Sequence, residues 1–320
     1  MTVLYTSTGS GSLGGTAGAA GLVQKAFDKN LDFQLRAAVA VTDIADVQPV
    51  TLTNPGSTVI LQTYVDLTTD VSGATLTETV DPDSVSLATP TSVGLTLVEY
   101  GRSTIATQAL NLFSLKGVNM DIANIVGQDL INTIDAVAMA KLITGTNVLY
   151  AGATATSTAT VTAAATITSA NIRKIVAVME SNLAPYRKDN LYWGGIHPRV
   201  AHDLRAETGS LGWLLPNQYG SDQSKIWNGE LGTYEGVFFV KNSRMHNATD
   251  GASSARNYRT LFAGKRALAS MFPLKPQIVI GDTVDRLKRL SPIGWKAVGG
   301  FAIYLQDSLY RLESGSSIAS

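Results

Sequence analysis

Two stretches with the period of β-strands are separated by a connection far too long for a hairpin turn, and nothing else in the sequence constrains the fold as tightly. Val59, Leu61, Val65 and Leu67 alternate with Thr58, Gln62, Tyr64 and Asp66, and Val93, Leu95 and Leu97 alternate with Ser92, Gly94 and Thr96. Residues 68–92 lie between them, 25 positions where ordinary hairpin loops use roughly 2 to 5. Two limbs of about 12 residues, running out and back at about 3.3 Å per residue, reach on the order of 40 Å from the body. Such an arm has too little core of its own to stand free, so it is expected to touch another molecule.

Charge points the same way. Between Arg36 and Arg102 there is no Lys or Arg in 65 consecutive positions, while Asp43, Asp46, Asp66, Asp70, Glu78, Asp81, Asp83 and Glu99 fall in that stretch. Residues 166–320 carry 19 basic and 12 acidic side chains inside a chain whose formal net charge is zero. Segregated charge in a neutral chain favours contact between copies, acidic face to basic face, and disfavours free nucleic acid as partner, for which a net-basic domain is expected. The charged fraction of 16% is below the roughly 25% of typical soluble domains, consistent with a surface largely covered in the working state.

The 320 residues suffice for one large domain or two ordinary ones. The absence of cysteine excludes disulfide frameworks, zinc thiolates and thiol nucleophiles. No run approaches 18 apolar residues, and the first 24 positions lack a basic n-region and apolar segment, so a soluble, unexported chain is expected.

Residues 6–21 form a Gly/Ser/Thr/Ala arm, followed by a short amphipathic segment with Leu22, Phe27, Leu31 and Leu35 near helical spacing. The strongest helix runs from Asn119, a cap, to Ile143: Ile122, Ile125, Val126, Leu130, Ile134, Val137 and Leu142 make one apolar stripe, and Gly145 ends it. At about 1.5 Å per residue it spans about 37 Å, a spine for the molecule. Residues 151–170 are low in complexity and are expected to form a mobile or edge segment. Beyond them the pattern gives a helix from Ser169 to about Leu183, a strand Leu191–Ile196, a helix opened by Pro198, and strands at 237–241, 277–280 and 301–305. The fold class is α+β.

Little of this composition supports catalysis or cofactor binding. Gly9, Gly11 and Gly14 have G-x-G-x-x-G spacing but lack the preceding strand and following helix of a dinucleotide site. His197 and His202 are five apart, off one helical face; His197 reads as a cap for the helix begun by Pro198, and His246 sits in a polar loop with no identifiable partner. Asp81, Pro82 and Asp83 near Glu78 lack the spacing of a calcium loop and read as an exposed acidic turn. Arg286, Lys288 and Arg289 form a basic cluster resembling a phosphate-contacting patch, read as a solvated strand or turn, as the counterpart of that acidic turn on a neighbour, or as a contact with nucleic acid. Trp193, Trp213, Trp227 and Trp295 read as core or interface anchors. No catalytic residue, metal ligand or cofactor is assigned; the candidate interface residues are Glu78, Asp81, Asp83, Arg286, Lys288 and Arg289.

The order of arm, long acidic two-stranded loop, spine helix and separate α+β lobe resembles the major capsid protein of tailed bacteriophages, the Hong Kong ninety-seven type of shell fold. Local words carry the resemblance: Leu76-Thr77-Glu78 with Asp81-Pro82, Ile134-Asp135 through Gly145-Thr146-Asn147, Ile196-His197-Pro198 with Asp203-Leu204-Arg205, Tyr219, Asn228-Gly229-Glu230-Leu231-Gly232 leading to Gly236-Val237, and Gly294-Trp295-Lys296-Ala297. The resemblance implies an N-terminal arm (1–50), an extended loop (51–98), a peripheral domain with the spine helix (99–150 and 265–320) and an axial domain (151–264). It implies no enzyme, and copies joined noncovalently as hexamers and pentamers of an icosahedral shell around double-stranded DNA. It further implies a portal as partner, no membrane, assembly in the host bacterial cytoplasm and residence in the virion capsid; since the chain has no room for the long N-terminal scaffolding segment of some relatives, a separate scaffolding protein is expected, or the arm acts alone. The alternative readings are an encapsulin-like nanocompartment shell, a carboxylate hydrolase housed in 151–264, and a tail-tube or decoration protein.

Overall fold

The computed structural model describes residues 41–48, 56–64, 74–76, 78–81, 89–113, 118–207, 232–282, 285, 287 and 289–318. The strands are β1 (Ala45–Val47), β2 (Thr58–Thr63), β3 (Thr91–Thr96), β4 (Val98–Thr107), β5 (Val148–Tyr150), β6 (Tyr192–Ile196), β7 (Thr233–Tyr234), β8 (Val237–Lys241), β9 (Asn247–Ala248), β10 (Asn257–Ala263), β11 (Leu268–Ile280), β12 (Leu290–Ile303) and β13 (Leu309–Ser314). The helices are α1 (Gln108–Phe113), α2 (Val118–Ile143), α3 (Ser169–Ser181) and α4 (Pro198–Ala206). The expected α+β class holds. The strands build a four-stranded sheet in the order β1-β11-β12-β4, a seven-stranded sheet β5-β13-β10-β6-β8-β7 with β9 beside β10, and the separate pair β2-β3.

The seven-stranded sheet is buried on both faces. Alternate side chains point to opposite sides of a strand, so Tyr192, Ile196, Phe239, Tyr258, Phe262 and Leu312 meet α3 and α4 through Ile172, Ile175, Met179, Val200 and Leu204. Their neighbours Trp193, Leu261, Ala263 and Leu309 enter a second core with Val126, Ile134, Ala138, Met139 and Leu142 of α2 and Leu268, Ile293, Trp295 and Phe301 of the four-stranded sheet. Where strands are squeezed from both sides, glycine becomes obligatory: a Cβ on Gly195 would stand 2.3 Å from the Trp193 ring and one on Gly194 2.6 Å from Val237 Cγ1.

Helix α2 is the expected spine, about 39 Å long at about 1.5 Å per residue. It starts at Val118, one residue ahead of the expected cap. Of the expected stripe, Val126, Ile134 and Leu142 are buried, whereas Ile125 is 55% exposed. Its C-terminal end is closed by the Gly145 amide on Leu142 O (3.2 Å) and by the Arg311 guanidinium on Ile143 O, a cation at the negative end of the helix dipole. His197 caps α4 as its sequence context requires, its Nδ1 accepting from the Arg199 amide at 3.2 Å, with Pro198 at the first helical position.

Two expectations are corrected. The low-complexity run after Tyr150 is part of a core: Ala151, Val161, Ala165 and Ile167 are buried. Its small side chains let backbone lie close, with Ala151 N on Glu313 O and Gly315 N on Ala165 O, each at 2.8 Å. The strands expected at 277–280 and 301–305 are the ends of the much longer β11 and β12. Register shifts between Met271, Leu274 and Gln277 enclose Pro273 and Pro276, which is where a strand tolerates proline.

Candidate assembly surfaces

The expected two-stranded arm exists at its root. Strands β2 and β3 pair antiparallel from Thr58↔Thr96 to Thr63↔Thr91. Its base is fixed to the body: Leu95 is wholly buried against Ala269, Met271 and Ala302, and a Cβ on Gly300 would fall 2.2 Å from Thr96 O. Away from that base the burial ends. Ile60 and Tyr64 are exposed, and in the connection Leu76 is 73% exposed and Val80 64%. Glu78 and Asp81 are exposed beside them, while Asp83 lies outside the described residues.

The same face of the four-stranded sheet that receives the hairpin base is bare further along. In β12, Ile293, Trp295, Ala297 and Phe301 turn toward α2, so Gly294 and Lys296 turn away from it. Gly294 pairs with Val279 and Ser103, and Lys296 with Gln277 and Gly101. The result is a groove of about 360 Å³ with Gly101, Gly281 and Gly294 in its lining. Beyond it Ile280 and Leu287 are exposed, and in α1 Leu112 and Phe113 are exposed, Phe113 by 83%.

The basic turn is described only in part. Arg289 pairs with Asp285 at 2.6 Å, and Arg286 and Lys288 lie outside the described residues. Among the described residues no ion pair joins this turn to Glu78 or Asp81 within one chain.

Several charged side chains do structural work that their sequence context did not announce. Asp135, only 3% exposed in α2, accepts from the amides of Val41 (2.9 Å) and Thr42 (3.1 Å) and from Thr42 Oγ1 (3.0 Å). Asp46, one of the unpaired-looking acids of the cation-free stretch, accepts from the Arg266 amide (2.6 Å) and pairs with Arg187 (3.6 Å), whose Nη2 also holds Asp43 O. Glu313 is fully buried between Arg259 (3.2 Å) and Arg311 (2.9 Å) and accepts from Asn257 (2.9 Å). His246, expected to have no partner, accepts at Nδ1 from Arg259 at 2.9 Å. Burial first, and then Arg259, lowers the His246 pKa; burial, and then Arg199 and Arg256, lowers that of His197. Both imidazoles are therefore held neutral. Burial also raises the Tyr192 hydroxyl to about 12, and it donates to Ala184 O at 2.9 Å. Trp193 and Trp295 are core residues, the latter donating to Asp129 at 2.8 Å; Trp213 and Trp227 lie outside the described residues. So do Gly9, Gly11 and Gly14.

Among the described residues no three His, Asp or Glu side chains gather as a metal site. The prominent surfaces are the uncovered outer length of the hairpin and the groove beside β12. The sequence model of the family described as phage capsid protein matches residues 127–303, more than half of the chain. The chain belongs to the phage capsid protein family. No curated protein sequence matches it.

Solved capsids share the fold of this phage capsid protein at low identity. The capsid asymmetric unit of Cyanophage Pam1 is 15% identical with a TM-score of 0.75, over 95% of this chain and 99% of that one. The capsid of Ralstonia phage GP4 is 14% identical with a TM-score of 0.73, over 100% and 99%. The head of Helicobacter pylori bacteriophage KHP40 is 13% identical with a TM-score of 0.73, over 97% and 99%. The likeness of fold spans nearly the whole of each chain.

Proposed function

We propose that this protein is the major capsid protein whose copies form hexamers and pentamers and close into an icosahedral shell around double-stranded DNA, a structural role without catalysis. The observation that carries the reading is the hairpin β2-β3. It is anchored at its base, yet it carries apolar side chains along its outer length that its own chain leaves uncovered, on a sheet whose same face offers an uncovered, glycine-lined groove. A knob without a hole and a hole without a knob on one molecule are satisfied when copies meet.

In this reading the loop of one subunit lies over the sheet of the next. Glu78, Asp81 and Asp83 face Arg286, Lys288 and Arg289 of that neighbour, and the glycine-rich run 6–21 of the N-terminal arm straps another. Residues 151–264 meet around the ring axis, and the spine helix, with 99–150 and 265–320, forms the periphery. Many modest interfaces per copy make a stable closed particle, because each contact raises the effective concentration of the next. A portal, a separate scaffolding protein, and assembly in the cytoplasm of a host bacterium before the virion matures complete the proposal.

Electron microscopy of the purified recombinant protein tests it: uniform hollow spheres tens of nanometres across are expected, and a monomer at high concentration overturns it. The ratio of absorbance at 260 to 280 nm, read on particles from infected cells, tests the cargo. A protein-like ratio with an enclosed enzyme there would favour a nanocompartment instead.

A further inference from the structure

Beside the spine helix runs a recess that the assembly reading does not use. It has a volume of about 390 Å³ and is lined by Asp135, Ala136, Met139, Ala140 and Ile143 of α2 and by Arg244 and His246 of the facing loop. Ala136 and Ala140 lie one turn apart and are exposed, so the floor is apolar and low. Arg244 is fastened to the side chain and carbonyl of Asn132, and His246 to Arg259, so the wall is fixed by bonds of its own.

The first described residues of the chain lie against this recess. Val41 is wholly buried, and the three bonds from Val41 and Thr42 converge on Asp135, one of the lining residues. The 40 residues ahead of Val41 must therefore leave from this point. Among them, Phe27, Leu31 and Leu35 recur at four-residue intervals on one side of a helical spacing, with Lys25, Lys29 and Asp32 on the other. Reach is ample: the six residues from Leu35 to Val41 span up to about 20 Å, while Asp135 to Ile143 covers about 12 Å of helix.

We infer that residues 22–36 of the same chain dock into the recess beside α2, their apolar stripe on Ala136, Met139, Ala140 and Ile143. Docking there fixes where the glycine-rich run 6–21 leaves the subunit. The docking stands on the monomer alone and does not depend on shell formation.

The absence of cysteine makes the test clean. Ala140→Cys is paired in turn with Lys29→Cys, Asp32→Cys and Arg36→Cys, which leave the apolar stripe intact, and treated with a short bismaleimide at low protein concentration. Expected is an intrachain product that stays at monomer mass and joins the two peptides. The control replaces Ala140→Cys with Ser254→Cys, exposed beside the other core, and should give none. Crosslinks that appear only between chains overturn the own-chain assignment, and yields no higher than the control overturn the docking.

Trypsin supplies a second readout, because Lys25, Lys29 and Arg36 lie in the segment and the next basic residue is Arg102. Ala140→Arg, at an exposed position that folding tolerates, should speed cleavage at those three sites about tenfold, as proteolysis follows the population of the undocked segment. An unchanged rate would count against the recess as its seat. Either readout is taken on unassembled subunits, so failure of docking and failure of the capsid reading give different results.

Discussion

The seven-stranded sheet and the β2-β3 hairpin are built from similar apolar residues and differ in who covers them. The sheet is closed on one side by α3 and α4 and on the other by α2 with the four-stranded sheet, all from one chain. The hairpin has one wholly buried residue, Leu95, with Val59, Leu61, Val93 and Leu97 partly covered beside it, and Ile60, Tyr64, Leu76 and Val80 remain in solvent. The difference separates two jobs. One region is covered by its own chain, and the other leaves apolar side chains uncovered that the proposed assembly would use.

That division is broken most severely from inside the core. Leu142→Asp puts an unpaired carboxylate at a wholly buried position of α2, and no folded protein should form, since burial of an isolated charge costs more than a domain's entire stability margin. Soluble expression with native far-UV circular dichroism would refute this. Next comes Glu313→Ala, which takes from Arg259 and Arg311 the buried carboxylate they share, leaving Arg259 with Asp250 and His246 and Arg311 with Ile143 O. Removing one partner of a buried charge cluster costs about 3–5 kcal/mol, so chemical denaturation of the subunit should show a loss of that order. Glu313→Gln, which keeps the acceptor for Asn257, should lose less.

A smaller effect comes from the two imidazoles. His197 and His246 have folded pKa values below their ordinary 6.5, so the unfolded chain binds protons more readily. Their contribution is fully present above about pH 6.5 and is lost as pH falls below it. Thermal midpoints of the unassembled subunit should fall between pH 7.5 and pH 5, and less so in His246→Gln. Identical slopes for the two proteins would remove His246 from the account.

How much of this was legible in the sequence follows from the same contrast. Elements with one buried and one open side left a readable period: β2, β3 and α3 were found, α4 was marked by His197-Pro198, and α2 by its length. The doubly covered sheet gave a mixed signal: β6 and β8 were found as short apolar runs, while β10 and β13 were missed. In β12, Gly294, Gly299 and Gly300 interrupt the alternation of Ile293, Trp295, Ala297 and Phe301, so only the end of the strand was detected. Strand β4 was missed for another reason, since as a sheet edge it is exposed along most of its length. The site was legible as composition and not as geometry. The cation-free stretch located an acidic loop, yet Asp46 belongs to Arg187 and the Arg266 amide of its own chain. Asp135 and Glu313 gave no signal because a buried carboxylate is explained by partners 94 and 54 residues away, as with Val41 and Arg259.

The finest test of the two-region contrast is one that leaves the fold alone. Glu78 and Asp81 are exposed and make no ion pair among the described residues, so reversing them with Asp83 to Lys should change subunit stability by no more than about 0.5 kcal/mol, as is usual for surface charges. If the acidic loop meets the basic turn of another copy, the same triple variant places six like charges together and should abolish particles. Reversing Arg286, Lys288 and Arg289 to Glu should do the same, and combining both reversals should restore assembly in part, because the pairing is then of opposite sign again. Sedimentation of the four proteins at low and high salt reads the outcome, with the wild-type contact weakening as salt screens it. Rescue by the double reversal is the result that only a direct loop-to-turn contact produces, whereas two independent surface defects would add.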